Sequence, residues 1–525
     1  MLFTSYTFLL FLLGVFVIYY ILPSKAQWVF LLMASLVFYC FAGWQYLFYI
    51  LFTGISTYIF ARVIQSKVDK QKEYIKLHKQ ELSKEERKAY KEKKKKVRGI
   101  FLFLCLLLNF GILGVIKYSN FCIGNINGIF GGQIPLHDWV LPLGISFYTF
   151  QTMGYIIDVY REKYEAEKNP FKLMLFVSFF PQLIQGPISR FDELSESLFA
   201  GHKFNWHNIV YGGERILWGF FKKLVIADRM LVGVNALIGD TDTYRGFYVV
   251  IGAIFYALEL YADFTGGIDI TIGVAEVLGI KVVENFHRPF FSKGIKEYWR
   301  RWHISLGTWF TDYVFYPISV CKPMLKATKW CRNHLGEYVG KRLTVYVATI
   351  TVWLITGIWH GAAWNFIVWG LGNCVFIIIE QETEGFVHNL ETKYALPNKL
   401  WYKIINIIKL NAIMCCLRMF DCYRDVPMTF KMFGSIFTTF NIGEVMRTGL
   451  WQLGLTNFDY IVLLIGACLL FMVSFLGRKV NVREKINSYP AVVPMATFGI
   501  IFIAIIMLGA YGIGYDASQF IYNQF

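Results

Sequence analysis

The chain has 525 residues, 56% of them hydrophobic and 18% aromatic, with a mean hydropathy of +0.45 and a formal net charge of +16. That much apolar surface excludes an ordinary soluble domain. Lys67 to Arg98 alone holds 14 Lys/Arg against 6 Asp/Glu, half of the net excess. No nucleic-acid-binding module accompanies this charge, so membrane lipids, and no nucleic acid, are the expected contact of the basic residues.

The first apolar segment, Leu2 to Leu22, lacks a basic leader and ends at Pro23 without a small-residue cleavage pattern, so it reads as a retained helix. Apolar runs near 3–22, 27–43 and 46–63 precede a basic loop at 64–98, and runs near 100–117 and 139–158 follow it. Such runs match the ~20 residues a helix needs to cross a ~30 Å hydrocarbon core. Open sheets cannot sit in lipid, so the fold class is all-α, a polytopic helical membrane protein. The charge bias places 64–98 in the cytoplasm and the N-terminus outside. Val68, Ile75 and Leu82 at heptad spacing predict a surface helix or helical hairpin there.

Further apolar stretches recur at 171–189, 208–235, 246–280, 343–359, 362–379, 402–420, 459–477 and 491–513. Several carry Pro, Gly or charge in mid-run, as in FFPQLIQGPISR (179–190) and LELYADFTGGIDITIG (258–273). Broken or re-entrant helices fit these, with irregular backbone surrounded by protein or water. The segment 285–320 is too polar for a lipid-facing helix and too aromatic for a loose loop, so it is expected to pack as re-entrant or interfacial helices. The basic stretches 321–342 and 478–485 are expected in the cytoplasm, which leaves the C-terminus outside and the crossings even in number, 10 or 12. With no internal repeat, residues 1–525 read as a single membrane domain.

Leu343 to Ile379 runs 37 residues without Asp, Glu, Lys or Arg, with His360 at its midpoint. An ionisable side chain at membrane depth is costly and usually faces a cavity. A neutral imidazole accepts a proton from a hydroxyl at ordinary pH, and burial favours that neutral form. An unbroken helix of this length would be ~56 Å long. A turn is therefore expected near His360, helped by Gly357 and Gly361. His303 lies in YWRRWHISLGTWF, preceded by Arg300 and Arg301 and followed by Asp312. The arginines read as anchors on lipid phosphates or as partners for the phosphates of a donor such as coenzyme A. His303 either orients substrate or satisfies a buried carbonyl. Asp158, Glu214, Arg215, Glu259, Asp263 and Asp269 read as helix-to-helix pairs. Asn365 would share the His360 cavity if the helix resumes after the break. The 9 histidines and 10 cysteines show no HxxxH, HExxH or CxxC spacing, so no metal site and no bound cofactor are expected. P-loop, GxGxxG and GxSxG patterns are missing as well.

The motifs PLGISFYTFQTMGYIIDVYR (142–161), FFPQLIQGPISR (179–190), YADFTGGIDITIGVAEVLG (261–279), NFHRPFFSKGIKEYWRRWHISLGTWFTDYVFYP (285–317) and LITGIWHGAAWNFIVWG (354–370) together resemble the membrane-bound O-acyltransferase (MBOAT) superfamily. The likeness is to its bacterial alginate O-acetyltransferase (AlgI)-like branch, related to the D-alanyl transfer protein DltB, and it covers roughly residues 1 to 380. It implies a helical fold with re-entrant or broken helices and a funnel to a central histidine. The family histidines of the WHG and WRRWHIS motifs fall on His360 and His303. It also implies an acyl group taken from a cytoplasmic thioester, acetyl-CoA or an acyl-carrier protein, and passed across the cell membrane. An SGNH-type extracytoplasmic partner would complete transfer to a polysaccharide. Trp359, Trp364 and His303 are candidates to shape the pocket around His360. After Pro317, where many relatives have a glycine-rich loop, this chain has a longer basic loop, ISVCKPMLKATKWCRNHLGEYVGKR. A D-alanyl donor on a carrier protein is the alternative, with the basic loops as its dock. A transporter would need paired interrupted segments in two halves, and the chain lacks that symmetry.

Overall fold

The computed structural model describes residues 3–511. Among them no β-strand forms, and the one isolated antiparallel bridge joins Phe286 to Trp302. Among the described residues seven helices are long and apolar enough to cross a membrane: Trp44–Leu77, Lys84–Phe130, Phe247–Val277, Glu337–His360, Trp364–Tyr394, Leu400–Tyr423 and Asn457–Leu476. Tyr6–Ile21, Ser24–Cys40 and Val492–Leu508 are shorter apolar helices. The chain is an all-α, multi-pass membrane protein. The last two residues of the expected 491–513 span, and the C-terminus, lie outside the described residues. Two compact units are present, Phe3–Ile209 with Ala275–Val283, and Val210–Val274 with the chain from Glu284 onward.

In the first unit the basic stretch is a helical hairpin. The helices Leu47–Leu77 and Lys84–Phe130 run on through it and leave only 78–83 as a turn. Ser83 caps the second helix: its Oγ accepts from Glu86 N at 3.2 Å, and Glu86 Oε2 accepts from Ser83 N at 2.8 Å. Tyr74 and Tyr90 stack across the hairpin at 4.4 Å. Buried Arg98 pairs with Glu162 at 2.7 Å, and Asp158 meets Lys163 at 3.5 Å. The run expected at 139–158 becomes helical only at Ile145, because Gly144 sits in the left-handed region at φ 69°. The run at 171–189 divides at Phe179 into Pro170–Ser178 and Phe180–Gln185, with a proline in the first turn of each helix.

In the second unit buried charges are paired between helices. The π-helical segment Phe221–Ala227 carries Lys222 to Asp269 at 2.5 Å, and Lys223 to Asp263 and Asp228 at 2.6 and 2.7 Å. Arg215 bridges Asp269 at 3.0 Å and Glu284 at 2.6 Å, and Asn487 donates to Glu214 at 2.7 Å. Glu259 is the exception among the expected pairs: its Oε2 is buried with no hydrogen-bond partner.

The basic stretch after Pro317, expected as a loop, is largely the helix Lys322–Leu335. It packs against the next helix, with Thr328 Oγ1 and Thr344 Oγ1 at 2.6 Å. Its lysines and arginines lie on an exposed face, which masks the helical period when the sequence is read for apolar runs. Glu337–His360 then leads to a break at 361–363, and Trp364–Tyr394 returns antiparallel. Arg342 and Glu382 tie the far ends of this hairpin together at 2.7 Å, leaving His360 at its tip. One turn below the tip the two backbones touch. A Cβ on Gly357 would stand 2.5 Å from Phe366 O, and one on Gly370 would stand 2.5 Å from Trp353 O.

Candidate active site

The break after His360 replaces a continuous helix with a polar corner. Gly361 and Ala363 are extended there, and Trp364 begins the next helix. A Cβ on Gly361 would stand 2.1 Å from the Phe366 ring, so the turn closes tightly over that side chain. His360 is half-buried, and its ring meets Trp359 at 5.0 Å and Trp369 at 4.7 Å.

His303 is positioned by a different device. It precedes the short helix Ile304–Phe310 in the left-handed conformation, φ 49° and ψ 53°, which a β-carbon makes unfavourable. Neighbouring backbone holds it there: His287 N donates to Arg301 O at 2.9 Å, and Ile304 N donates to Asn285 O at 3.0 Å. Asn285 Oδ1 accepts from Ser305 N at 3.0 Å and Ser305 Oγ at 2.9 Å, and lies 3.3 Å from His303 Nδ1. The imidazole is 3% exposed and packs edge-on to Phe264 at 5.0 Å and near Trp359 at 6.0 Å.

Both histidines line one cavity of about 620 Å³, entirely within the second unit. Its walls include Trp299, Trp302, Trp353, Trp369, Phe310 and Phe366, with Lys296, Thr349 and Thr356 among the polar groups. Arg300, Gly307, Thr308 and Thr311 line it and are exposed, marking where it opens. The arrangement suits a reaction needing a proton acceptor in a dry, aromatic chamber reached by a long substrate.

The residues singled out from sequence separate clearly by position. His303, His360 and Arg300 line the cavity. Trp359 is buried, its ring 6.0 Å from that of His303 and 5.0 Å from that of His360. Arg301 faces Glu297 at 2.6 Å and is not among the lining residues. Asp312 sits in the π-helical stretch Thr311–Phe315, outside the lining. Asn365 is buried and donates to Phe420 O at 3.1 Å, and Trp364 is 57% exposed; neither lines the cavity.

The model of the membrane-bound O-acyltransferase family matches residues 167–423, which include both histidines. The "Probable alginate O-acetylase AlgI" of Azotobacter vinelandii is 33% identical over 389 residues, 73% of this chain and 69% of the relative. The chain belongs to the membrane-bound O-acyltransferase family. The "Peptidoglycan O-acetyltransferase" of Helicobacter pylori is 30% identical over 72% of this chain and 69% of its own length. The "Teichoic acid D-alanyltransferase" of Bacillus subtilis is 29% identical over 54% of this chain and 68% of its own length.

Two further residues of this O-acyltransferase escaped the sequence reading. Arg418 and Asp421, from the helix Leu400–Tyr423, also line the cavity. Arg418 is 3% exposed; its guanidinium stacks over Trp302 at 4.1 Å and donates to Ala257 O and the Tyr298 hydroxyl. Asp421 Oδ2 accepts from the Tyr256 hydroxyl at 2.5 Å. The available signal was an arginine and an aspartate inside an otherwise apolar run, which lipid would not tolerate unless they faced protein or a cavity.

Proposed function

We propose that this O-acyltransferase takes an acyl group, most simply acetyl, from a cytoplasmic thioester and delivers it to a hydroxyl for O-acylation of an extracytoplasmic polysaccharide or cell-wall polymer. It would act as one membrane domain in a bacterial cytoplasmic membrane, with an SGNH-type partner completing the transfer. The observation that carries the reading is that His303 and His360, far apart in sequence, line one cavity. The acceptor hydroxyl attacks the thioester carbonyl; the C–O bond forms and the C–S bond breaks. His360 takes the hydroxyl proton and returns it to the leaving thiolate. Such acid–base assistance is worth ~10²–10⁴-fold in rate. His303, held by Asn285, supplies a second imidazole beside the reacting carbonyl, and Trp359 packs near both rings. Arg300 at the opening meets the donor's phosphate. The remaining acceleration comes from positioning in the aromatic chamber.

The test is polymer acylation in cells carrying His360→Ala or His303→Ala at normal protein levels. Loss of alkali-labile acyl groups is the expected result, and undiminished acylation sinks the assignment. A second reading, a D-alanyl donor on a carrier protein, is favoured by the likeness to the D-alanyltransferase and by the basic hairpin at 64–98. Acylation that persists after deletion of the carrier gene removes it.

A further inference from the structure

We infer that His287, Arg288 and Arg478 form a phosphate-binding subsite beside the cavity, taking a phosphate mono- or diester. Its role as a donor site rests on the thioester reading above; its chemistry does not. Arg288 is an arginine in the left-handed region, φ 50°, immediately before Pro289. Such a conformation is kept only where the surroundings impose it, and it is enriched at ligand sites. It sends the side chain across Gly477, whose Cβ position lies 3.8 Å from Arg288 Cδ, and brings Arg288 Nη2 to 2.8 Å from His287 Nε2. The exposed Arg478 has its guanidinium 3.6 Å from the Phe475 ring centroid and its Nε donating to Phe475 O at 3.1 Å. Phe291 stands 6.0 Å from the same guanidinium.

No carboxylate pairs with either arginine among the described residues. Among the described residues neither Arg288 nor Arg478 has an acid within 4.0 Å, and Arg288 Nε is buried with no hydrogen-bond partner. The nearby acids are engaged: Glu284 pairs with Arg215 at 2.6 Å, and Glu297 pairs with Arg301 at 2.6 Å. Burial and the neighbouring Arg288 and Arg301 hold the His287 imidazole below its ordinary range, and burial with Arg301 and Arg478 does the same to Arg288. Two arginines without an ion-pair partner thus lie with His287, which only the already paired Glu284 opposes, and a dianionic oxygen cluster suits their forked donors. The subsite is joined to the cavity wall through backbone. The 285–287 segment that carries it pairs with 301–304, which carries Trp302 and His303.

Two sources supply such a phosphate: the nucleotide and pantetheine phosphates of a thioester donor, and a phospholipid headgroup. The test uses full-length protein in phosphatidylcholine nanodiscs and desulfo-coenzyme A, which binds without reacting. The variants are Arg288→Gln/Arg478→Gln and, as a probe of forked geometry, Arg288→Lys/Arg478→Lys, each checked for monodispersity. A parallel arm measures retention of phosphatidylglycerol by native mass spectrometry. Desulfo-coenzyme A affinity is expected to fall ~10-fold or more in the Gln variant, with partial recovery in the Lys variant. Loss confined to phosphatidylglycerol also supports the subsite and assigns its phosphate to lipid. Equal binding of both probes by wild type and a monodisperse Gln variant, or binding of neither by wild type, overturns it. Because the readout is binding, absence of acyl transfer from acetyl-CoA would defeat the donor reading and leave this result standing.

Discussion

The crossing of Gly357 and Gly370 sets where His360 sits, and Gly357→Ala tests that directly. The new Cβ would lie 2.5 Å from Phe366 O and 3.1 Å from Ile367 Cα, both backbone atoms that cannot rotate away. Ordinary contact begins at 3.4 Å, so the helices must part by about 0.9 Å. His360 is one turn further along, at the hairpin tip, and moves with its helix relative to His303, which is anchored through Asn285 on separate backbone. A ~1 Å displacement of a reacting group costs ~10²-fold in rate. Overpacking of this kind costs roughly 1–3 kcal/mol of stability. The variant is therefore expected to reach the membrane, melt at a lower temperature and lose ~10²-fold in kcat. Gly385→Ala is the control: it lies on the returning helix Trp364–Tyr394, nothing stands within 4 Å of its Cβ, and it should leave turnover unchanged while gaining ~0.5–1 kcal/mol of helix stability. Acyl transfer in membrane vesicles, with a melting curve in detergent, reads both effects. Gly357→Ala turnover within twofold of wild type would refute the claim that this crossing positions the site.

Asn285→Ala removes the oxygen that fixes Ser305 and faces His303 Nδ1, so kcat should fall at least 10-fold with little change in donor KM; an unchanged kcat would remove Asn285 from the site. Lys223→Met leaves Asp263 and Asp228 without their shared ammonium and should destabilise by ~3–5 kcal/mol, read as lost protein in the membrane; Asp263→Asn in the same background should recover part of it. Arg418→Lys keeps the charge but not the flat guanidinium on Trp302, so it should restore little of the activity lost in Arg418→Gln. At the phosphate subsite, burial, Arg288 and Arg301 lower His287 from its ordinary 6.5 while Glu284 opposes them. A bound phosphate raises it again, so binding takes up a proton. Desulfo-coenzyme A should bind wild type more tightly as pH falls below about 6.5, and His287→Gln should abolish that slope.

The helical membrane class, the hairpin at 64–98 and the break at His360 were legible because each rests on a local rule. Apolar runs match a bilayer, a basic stretch keeps a heptad of Val68, Ile75 and Leu82, and 37 uncharged residues exceed one crossing. What local rules could not reach was decided by tertiary placement. Trp364 is nearer to His360 in sequence, yet it is Trp369, five residues later, that lines the cavity with its ring 4.7 Å from His360. The left-handed backbone of His303 contradicts its intrinsic preference and is imposed by pairing with 285–287, which no window around residue 303 contains. Arg418 becomes a cavity residue only when the helix Leu400–Tyr423 lays it on Trp302. The 321–342 stretch does not read as helical from its apolar pattern, because its lysines conceal a helix that packs by one face.

The central claim is that His360 promotes acyl transfer from a cytoplasmic thioester. Inside-out membrane vesicles bearing wild-type or His360→Ala protein, given radiolabelled acetyl-CoA, test it most directly. Label captured by protein, partner or polymer with wild type and not with the variant is the predicted result. Equal capture by the two would contradict the role of His360, and no capture by either would contradict acetyl-CoA as the donor.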